Sequence, residues 1–220
     1  MRKMVNLVFH GIDDPPRQLE PGEERVWVTS RQLEFALDSV AEHPWVGISF
    51  DDGNASDLRI ALPSLAQRNL KAIFFITVGR LNVPGYLDPH GVRELSRAGM
   101  VIGCHGMTHQ RWRGLPAVRL REETLDAKNA LEQVLGHAVT TVACPYGSYD
   151  RRSLFACRQA GYRHVLTCDR LSSSPDAWLQ HRSMIFRHHN AAGILHIIDG
   201  ELHGLRLIRQ RLRVLLKHWI

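Results

Sequence analysis

The sequence predicts an α/β domain of parallel β/α repeats closed into a TIM-like barrel of seven or eight units. Three observations carry this: seven short apolar runs, amphipathic stretches between them, and glycine turns at several helix ends (Ala98-Gly99, Leu135-Gly136, Ala160-Gly161), where a left-handed C-cap is favoured. At 220 residues the chain suits one domain with a substantial core, and neither a repeat nor a linker divides it.

In chain order, the strands are expected at Val5–Phe9, Val46–Phe50, Ala72–Thr77, Val101–Gly103, Thr141–Ala143, His164–Thr167 and Ser183–Arg187. Helical patterns run through about 31–41, 57–69, 90–98, 117–135 and 150–160. Pro63 should kink the second helix or mark a late start. The stretch Asp13–Glu24, rich in proline and charge, reads as a loop.

The apolar (44%) and charged (23%) fractions are those of an ordinary globular protein. The formal charge of +6 is concentrated late in the chain, where residues 201–220 carry Arg206, Arg209, Arg211, Arg213 and Lys217 against Glu201. No nucleic-acid-binding motif and no basic patch interleaved with aromatics accompanies it, so a nucleic-acid partner is not expected. The N-terminal apolar stretch is too short for a signal h-region, and the four cysteines show no CxxC spacing. A cytoplasmic location with reduced thiols follows as the expectation. Cys104 stands beside His105, but neighbours on a strand point to opposite faces, which argues against a thiol nucleophile.

Barrels of this kind place their chemistry at the carboxyl ends of the strands. Three polar segments follow apolar runs there: Asp51-Asp52-Gly53, His105-Gly106-Met107-Thr108-His109, and Cys144-Pro145-Tyr146-Gly147-Ser148-Tyr149-Asp150. Singly, the first and third are ordinary turn sequences. Two histidines four apart lie on one face of a helical turn, where both imidazoles can reach one metal ion. Together, one carboxylate and two imidazoles form a recognised catalytic zinc set with open positions, equally suited to cobalt, nickel or iron. The adjacent carboxylate is then left to act as a base.

These three segments, in this order, resemble the boxes of the polysaccharide deacetylase family (carbohydrate esterase family four, the NodB-homology domain). The resemblance runs from about Val5 to Thr167 and implies an irregular (β/α)7 barrel spanning 1–220. It implies that Asp52, His105 and His109 bind a divalent metal, zinc foremost, with Asp51 as catalytic base. It further implies that the backbone around Tyr146 holds the oxyanion, and that Pro145 and Tyr146 wall an acyl pocket. The implied reaction is hydrolysis of an N-acetyl group from an amino sugar, in the service of exopolysaccharide or glycoconjugate synthesis. The same resemblance admits deformylation of an amino sugar or opening of a cyclic ureide. A carbohydrate-binding protein without catalysis would have no need of all four polar residues.

The chain departs from the family pattern in three places. Gly106 stands where serine or threonine is usual. Ala143 replaces the arginine that orients the base, leaving Asp51 without an identified partner. The late Leu-x-His box, source of the general acid, has two candidates: Ile194-Leu195-His196, and His10, ending the first strand. Trp112 is placed to border the cleft and stack on a sugar, whereas Trp45 and Trp178 read as packing residues and His188 and His189 as surface.

Residues 201–220 are expected to form a basic amphipathic helix with Leu205, Ile208, Leu212, Leu215 and Trp219 near one face. Packing of that face on the barrel is expected, with an anionic membrane surface as the alternative.

Overall fold

The computed structural model describes residues 3–199 and 204–219. Seven parallel strands, β1 (Val5–Phe9), β2 (Val46–Asp52), β3 (Ile73–Ile76), β4 (Val101–Cys104), β5 (Thr141–Ala143), β6 (His164–Thr167) and β7 (Leu179–Met184), pair in sequence order. The barrel closes through β1 and β7, with Asn6 opposite Arg182. Helices α1 (Ser30–Ala41), α2 (Leu62–Gln67), α3 (Pro89–Arg97), α4 (Ala117–Arg121), α5 (Ala127–Leu135), α6 (Arg151–Gln159) and α7 (Ala191–Ile198) surround it, followed by α8 (Gly204–Trp219).

Side-chain alternation divides the apolar residues into two layers. Leu7, Phe9, Ile48, Phe50, Phe74 and Ile102 belong to the main core with the helices, whereas Phe75, Ala143 and Leu166 form a second, small cluster. Gly103 is needed between these layers. A Cβ there would stand 2.4 Å from the Phe75 ring and 2.8 Å from Thr141 Oγ1.

Local chemistry explains the helix starts. Thr29 and Gln32 form a reciprocal capping box on α1, as Asp150 and Ser153 do on α6, satisfying otherwise orphaned N–H groups. The helical stretch begins at residue 55 and passes through a wide, π-type turn at 57–61 directly into α2. Pro63 therefore lies inside a continuous helix whose wide turn accommodates it, and it does not mark a late start. A second wide turn, Glu122–Asp126, joins α4 to α5.

Two expectations need correction. The last strand is Leu179–Met184 and not Ser183–Arg187, because Leu-Gln-His-Arg-Ser-Met hides a strand whose Gln180 and Arg182 are buried and hydrogen-bonded. The apolar Met184-Ile185-Phe186 lies at and beyond the end of this strand. The helix α8 is also mounted differently from expectation. Val214 is buried, but Ile208, Leu212, Leu215 and Leu216 are exposed. The side chains of Leu205 and Trp219 lie outside those described.

Candidate active site

The polar residues of β2 sit within the strand. Asp51 pairs with Phe75 and Asp52 with Ile76. Asp51 follows Ser49 by two residues, and both side chains meet Arg182 inside the barrel. Strict alternation would send Asp52 outward with Ile48 and Phe50. Instead its backbone is left-handed (φ 80°), and its Oδ1 lies 3.0 Å from His109 Nε2 and 3.6 Å from His105 Nε2. One ligand atom from each of Asp52, His105 and His109 lies within 4.8 Å of the others.

Each imidazole is oriented by a different device. His105 Nδ1 donates to the Ala143 carbonyl (2.9 Å), which leaves the Nε2 lone pair facing Asp52. Burial pushes the His105 pKa down to about 4, so the ring is neutral at neutral pH. Residues 105–109 are a loop and not the helical turn expected, and His109 has φ 58°. Glu123, buried on the wide turn between α4 and α5, holds that loop. Its carboxylate accepts from Met107 N (3.0 Å), Thr108 N (3.1 Å), Thr108 Oγ1 (2.5 Å), Gln110 Nε2 (2.8 Å) and Trp112 Nε1 (3.4 Å). Gly106 is required beneath it: φ is +83°, and a Cβ would stand 2.4 Å from Glu123 Oε2. The departure from serine or threonine therefore has a steric cause.

Burial alone would raise the Asp52 carboxyl, but His109, His10 and His105 outweigh it and hold it well below the usual range. Asp52 Oδ1 is buried and accepts no well-directed hydrogen bond. An orphaned carboxylate oxygen, beside one ring nitrogen left unprotonated by its tautomer and a second 3.0 Å away, fits a divalent cation in donor type and convergence. Arg80 completes the surround, with Nη2 3.2 Å from His109 Nδ1 and 2.7 Å from Glu20 Oε1, and Nη1 3.6 Å from Asp52 Oδ2.

The partner missing for Asp51 is Arg182 of β7. Its guanidinium donates to Asp51 through both ends, Nη1 to Oδ1 (2.6 Å) and Nη2 to Oδ2 (2.7 Å), while Nη1 also reaches Ser49 Oγ (3.1 Å). Both side chains are almost fully buried. Burial would raise the Asp51 carboxyl, yet Arg182 and His105 bring it below its ordinary value. Ala143, at the usual arginine position, contributes its carbonyl to His105 instead.

A cavity of ≈ 350 Å³ opens over these groups, lined by His10, Glu20, Asp51, Asp52, Arg80, His109, Arg111, Tyr146 and others. His10 borders it with a buried Nδ1 that has no hydrogen-bond partner. Tyr146 has φ 57°, its ring centroid lies 4.6 Å from that of His109, and Pro145 beside it is buried. Thus Asp52, His109 and Tyr146 are three non-glycine residues held left-handed, a conformation costing about 1–2 kcal/mol each that clusters at functional sites.

Residues 39–165 match the polysaccharide deacetylase family. The chain belongs to that family. Among curated relatives, the Bacillus subtilis protein YxkH is 24% identical over 188 residues, 79% of this chain and 67% of that protein. The Bacillus cereus peptidoglycan-N-acetylglucosamine deacetylase is 26% identical over 136 residues, 59% of this chain but only 47% of its own length. Among solved structures, the Streptococcus pyogenes deacetylase PplD superposes with a TM-score of 0.77 at 18% identity, covering 90% of this chain and 98% of that one. The polysaccharide deacetylase BC0361 of Bacillus cereus gives 0.77 at 19% identity, over 90% and 69%. These structural likenesses bear out the seven-stranded barrel.

Two other expectations, those for His196 and Trp112, fare differently. His196 is exposed on α7, a helix that packs on α1 outside the barrel, and it does not line the cavity. The apolar neighbours Ile194 and Ile198 carry that helix's packing, which leaves His196 facing outward. Trp112 is fully buried and bonded to Glu123, so it packs beneath the histidine loop and presents no face to a sugar. Cys104 is buried, and burial raises its thiol to about 11, a poor nucleophile. Glu123 and Arg182 were missed by sequence reasoning. Glu123 carries a signal in hindsight, because it falls in phase with the buried Leu120, Ala127 and Leu131. Arg182 carries none beyond the absence of arginine at Ala143.

Proposed function

We propose that this protein is a metal-dependent hydrolase that removes the N-acetyl group from an amino sugar in a polysaccharide or glycoconjugate. The observation that carries the reading is the Asp52–His105–His109 convergence beside a second carboxylate, Asp51, held off it by Arg182. Within the family this division supports hydrolysis over simple glycan binding, which needs no buried ion pair below the site.

Asp52, His105 and His109 would hold the ion, with zinc the first choice for this donor set and cobalt, nickel or iron also compatible. A bound divalent ion supplies a lowered water pKa and polarisation of the amide carbonyl. Asp51, ionised at neutral pH, accepts the proton of the attacking water, and Arg182 fixes its orientation and keeps it charged. The Tyr146 backbone N–H, aimed by its left-handed conformation, steadies the developing oxyanion. Such a donor contributes about 3–4 kcal/mol. His10, at the cavity wall with an unengaged ring nitrogen, delivers the proton to the departing amine. Pro145 and the Tyr146 ring bound the space for the small acyl group.

The test combines metal analysis with hydrolysis of an N-acetylglucosamine oligomer, followed as acetate released. We expect one divalent ion per chain and acetate release that chelation abolishes and zinc restores. A protein that binds the ion and the oligomer yet releases neither acetate nor formate would overturn the hydrolase reading.

A further inference from the structure

The helix α8 turns its polar residues toward the barrel and its apolar stripe away from it. Gln210 Nε2 donates to the Asp169 carbonyl (2.7 Å), and Lys217 Nζ donates to Asp169 Oδ1 (2.5 Å) and to the Gly147 carbonyl (3.2 Å). Buried Val214 lies between them, so positions 210, 214 and 217 define the inner line of the helix. At about 100° per residue, Ile208, Leu212, Leu215 and Leu216 centre on the opposite side, and they are 54–59% exposed. Arg209 and Arg213 flank that stripe on one side and Arg211 on the other, all exposed. From 204 to 219 there are four arginines and one lysine, and no acidic residue.

The neighbouring elements continue this character. On α6, which packs against α8, Phe155 is 62% exposed beside exposed Arg151 and Arg152. On α4, packed against α6, Val118 is 71% exposed near exposed Arg121.

We propose that the outer face of α8, with Phe155 of α6 and Val118 of α4, seats this protein on an anionic lipid surface. An apolar stripe edged by arginines is the pattern of a helix lying in a bilayer interface, where leucines enter the acyl boundary and guanidinium groups meet phosphate. A second copy of the chain fits the face less well. A two-fold contact through α8 would set the same arginines against one another with no carboxylate on the helix to pair them. The inner contacts place the surface close to the site: Asp169 follows cavity-lining Cys168, and Gly147 follows Tyr146. This inference does not rest on the reaction proposed above, and its readout is binding alone.

The experiment is co-sedimentation of the full chain with phosphatidylcholine vesicles and with vesicles in which phosphatidylglycerol replaces about a third of the lipid. We expect partitioning onto the anionic vesicles to exceed that onto neutral ones by about tenfold or more, and to fall as salt is raised. Leu212→Ser with Leu216→Ser should weaken binding about tenfold without lowering the melting temperature, since both side chains are already in solvent. Arg209→Gln, Arg211→Gln and Arg213→Gln together should erase the preference for anionic lipid. Absence of sedimentation with either vesicle would overturn the proposal, as would equal binding to both. A concentration-dependent dimer that the leucine substitutions dissolve, without vesicle binding, would assign the face to a second copy instead.

Discussion

Replacing Arg182 with methionine keeps much of the side-chain volume and removes the guanidinium that pairs with Asp51. Both partners are buried, and the pair is bidentate with a third bond to Ser49. Stripping one partner from such a pair leaves a buried charge uncompensated, a cost of about 3–5 kcal/mol. With a urea m-value of about 2 kcal/mol/M, the unfolding midpoint should fall by roughly 2 M. Burial, the largest influence on Asp51, then acts with its main opponent gone, so the Asp51 pKa should rise above its unfolded value. A folded pKa raised in this way is a stability contribution present at low pH and lost as pH increases. The deficit of Arg182→Met should therefore be smaller near pH 4 than near pH 8. Acetate release should drop sharply, with its acidic limb displaced to higher pH. Arg182→Lys should recover only part of either property, because an ammonium cannot engage both carboxylate oxygens in one plane. The double variant Asp51→Asn/Arg182→Met should be more stable than the sum of the single changes by at least ~1 kcal/mol. Additive energies, or a pH profile that does not move, would refute the assignment of Arg182 to Asp51.

The remaining predictions concern the other groups at the site. Asp51→Asn should retain metal and lose most turnover, whereas Asp52→Asn should lower metal affinity itself; equal zinc binding and similar rates in both would contradict the division of roles. Glu123→Gln leaves one acceptor oxygen where the carboxylate serves five donors, so it should cost about 2–4 kcal/mol in urea unfolding and weaken metal binding through the loop of His105 and His109. In metal-free protein the unfolded state protonates His105 first, since its folded pKa is near 4 against an ordinary 6.5. Stability should then decline as pH falls from about 6.5 to about 4, by up to ~3 kcal/mol, and a melting temperature flat over that window would exclude the buried neutral ring. His10→Gln should depress turnover for amide substrates far more than for an ester with a good leaving group, because only the amine needs its proton; an equal loss for both would remove His10 from that role.

The amino-acid sequence by itself determined the barrel, the order of its strands and the polar groups at their ends. Those are local properties: a short continuous apolar run, a glycine cap, or two carboxylates on the end of a strand declare themselves within a few residues. It also pointed to the candidate donor set: a carboxylate pair and two histidines four apart are legible as chemistry, and the family resemblance singled out Asp52 from its neighbour Asp51. Only the tertiary structure decided what surrounds that set. Arg182 reaches Asp51 across 131 residues of chain through closure of β7 on β1, and its strand is too polar for hydropathy to see. Glu123 supports the histidine loop from a helix 15 residues on, where an acid in the buried phase looks like an exception until its donors are known. The facing of α8 was decided in the same way. Periodicity establishes that one side of a helix is apolar, but which side meets the barrel depends on partners such as Asp169 and Gly147, which lie more than 40 residues away in sequence.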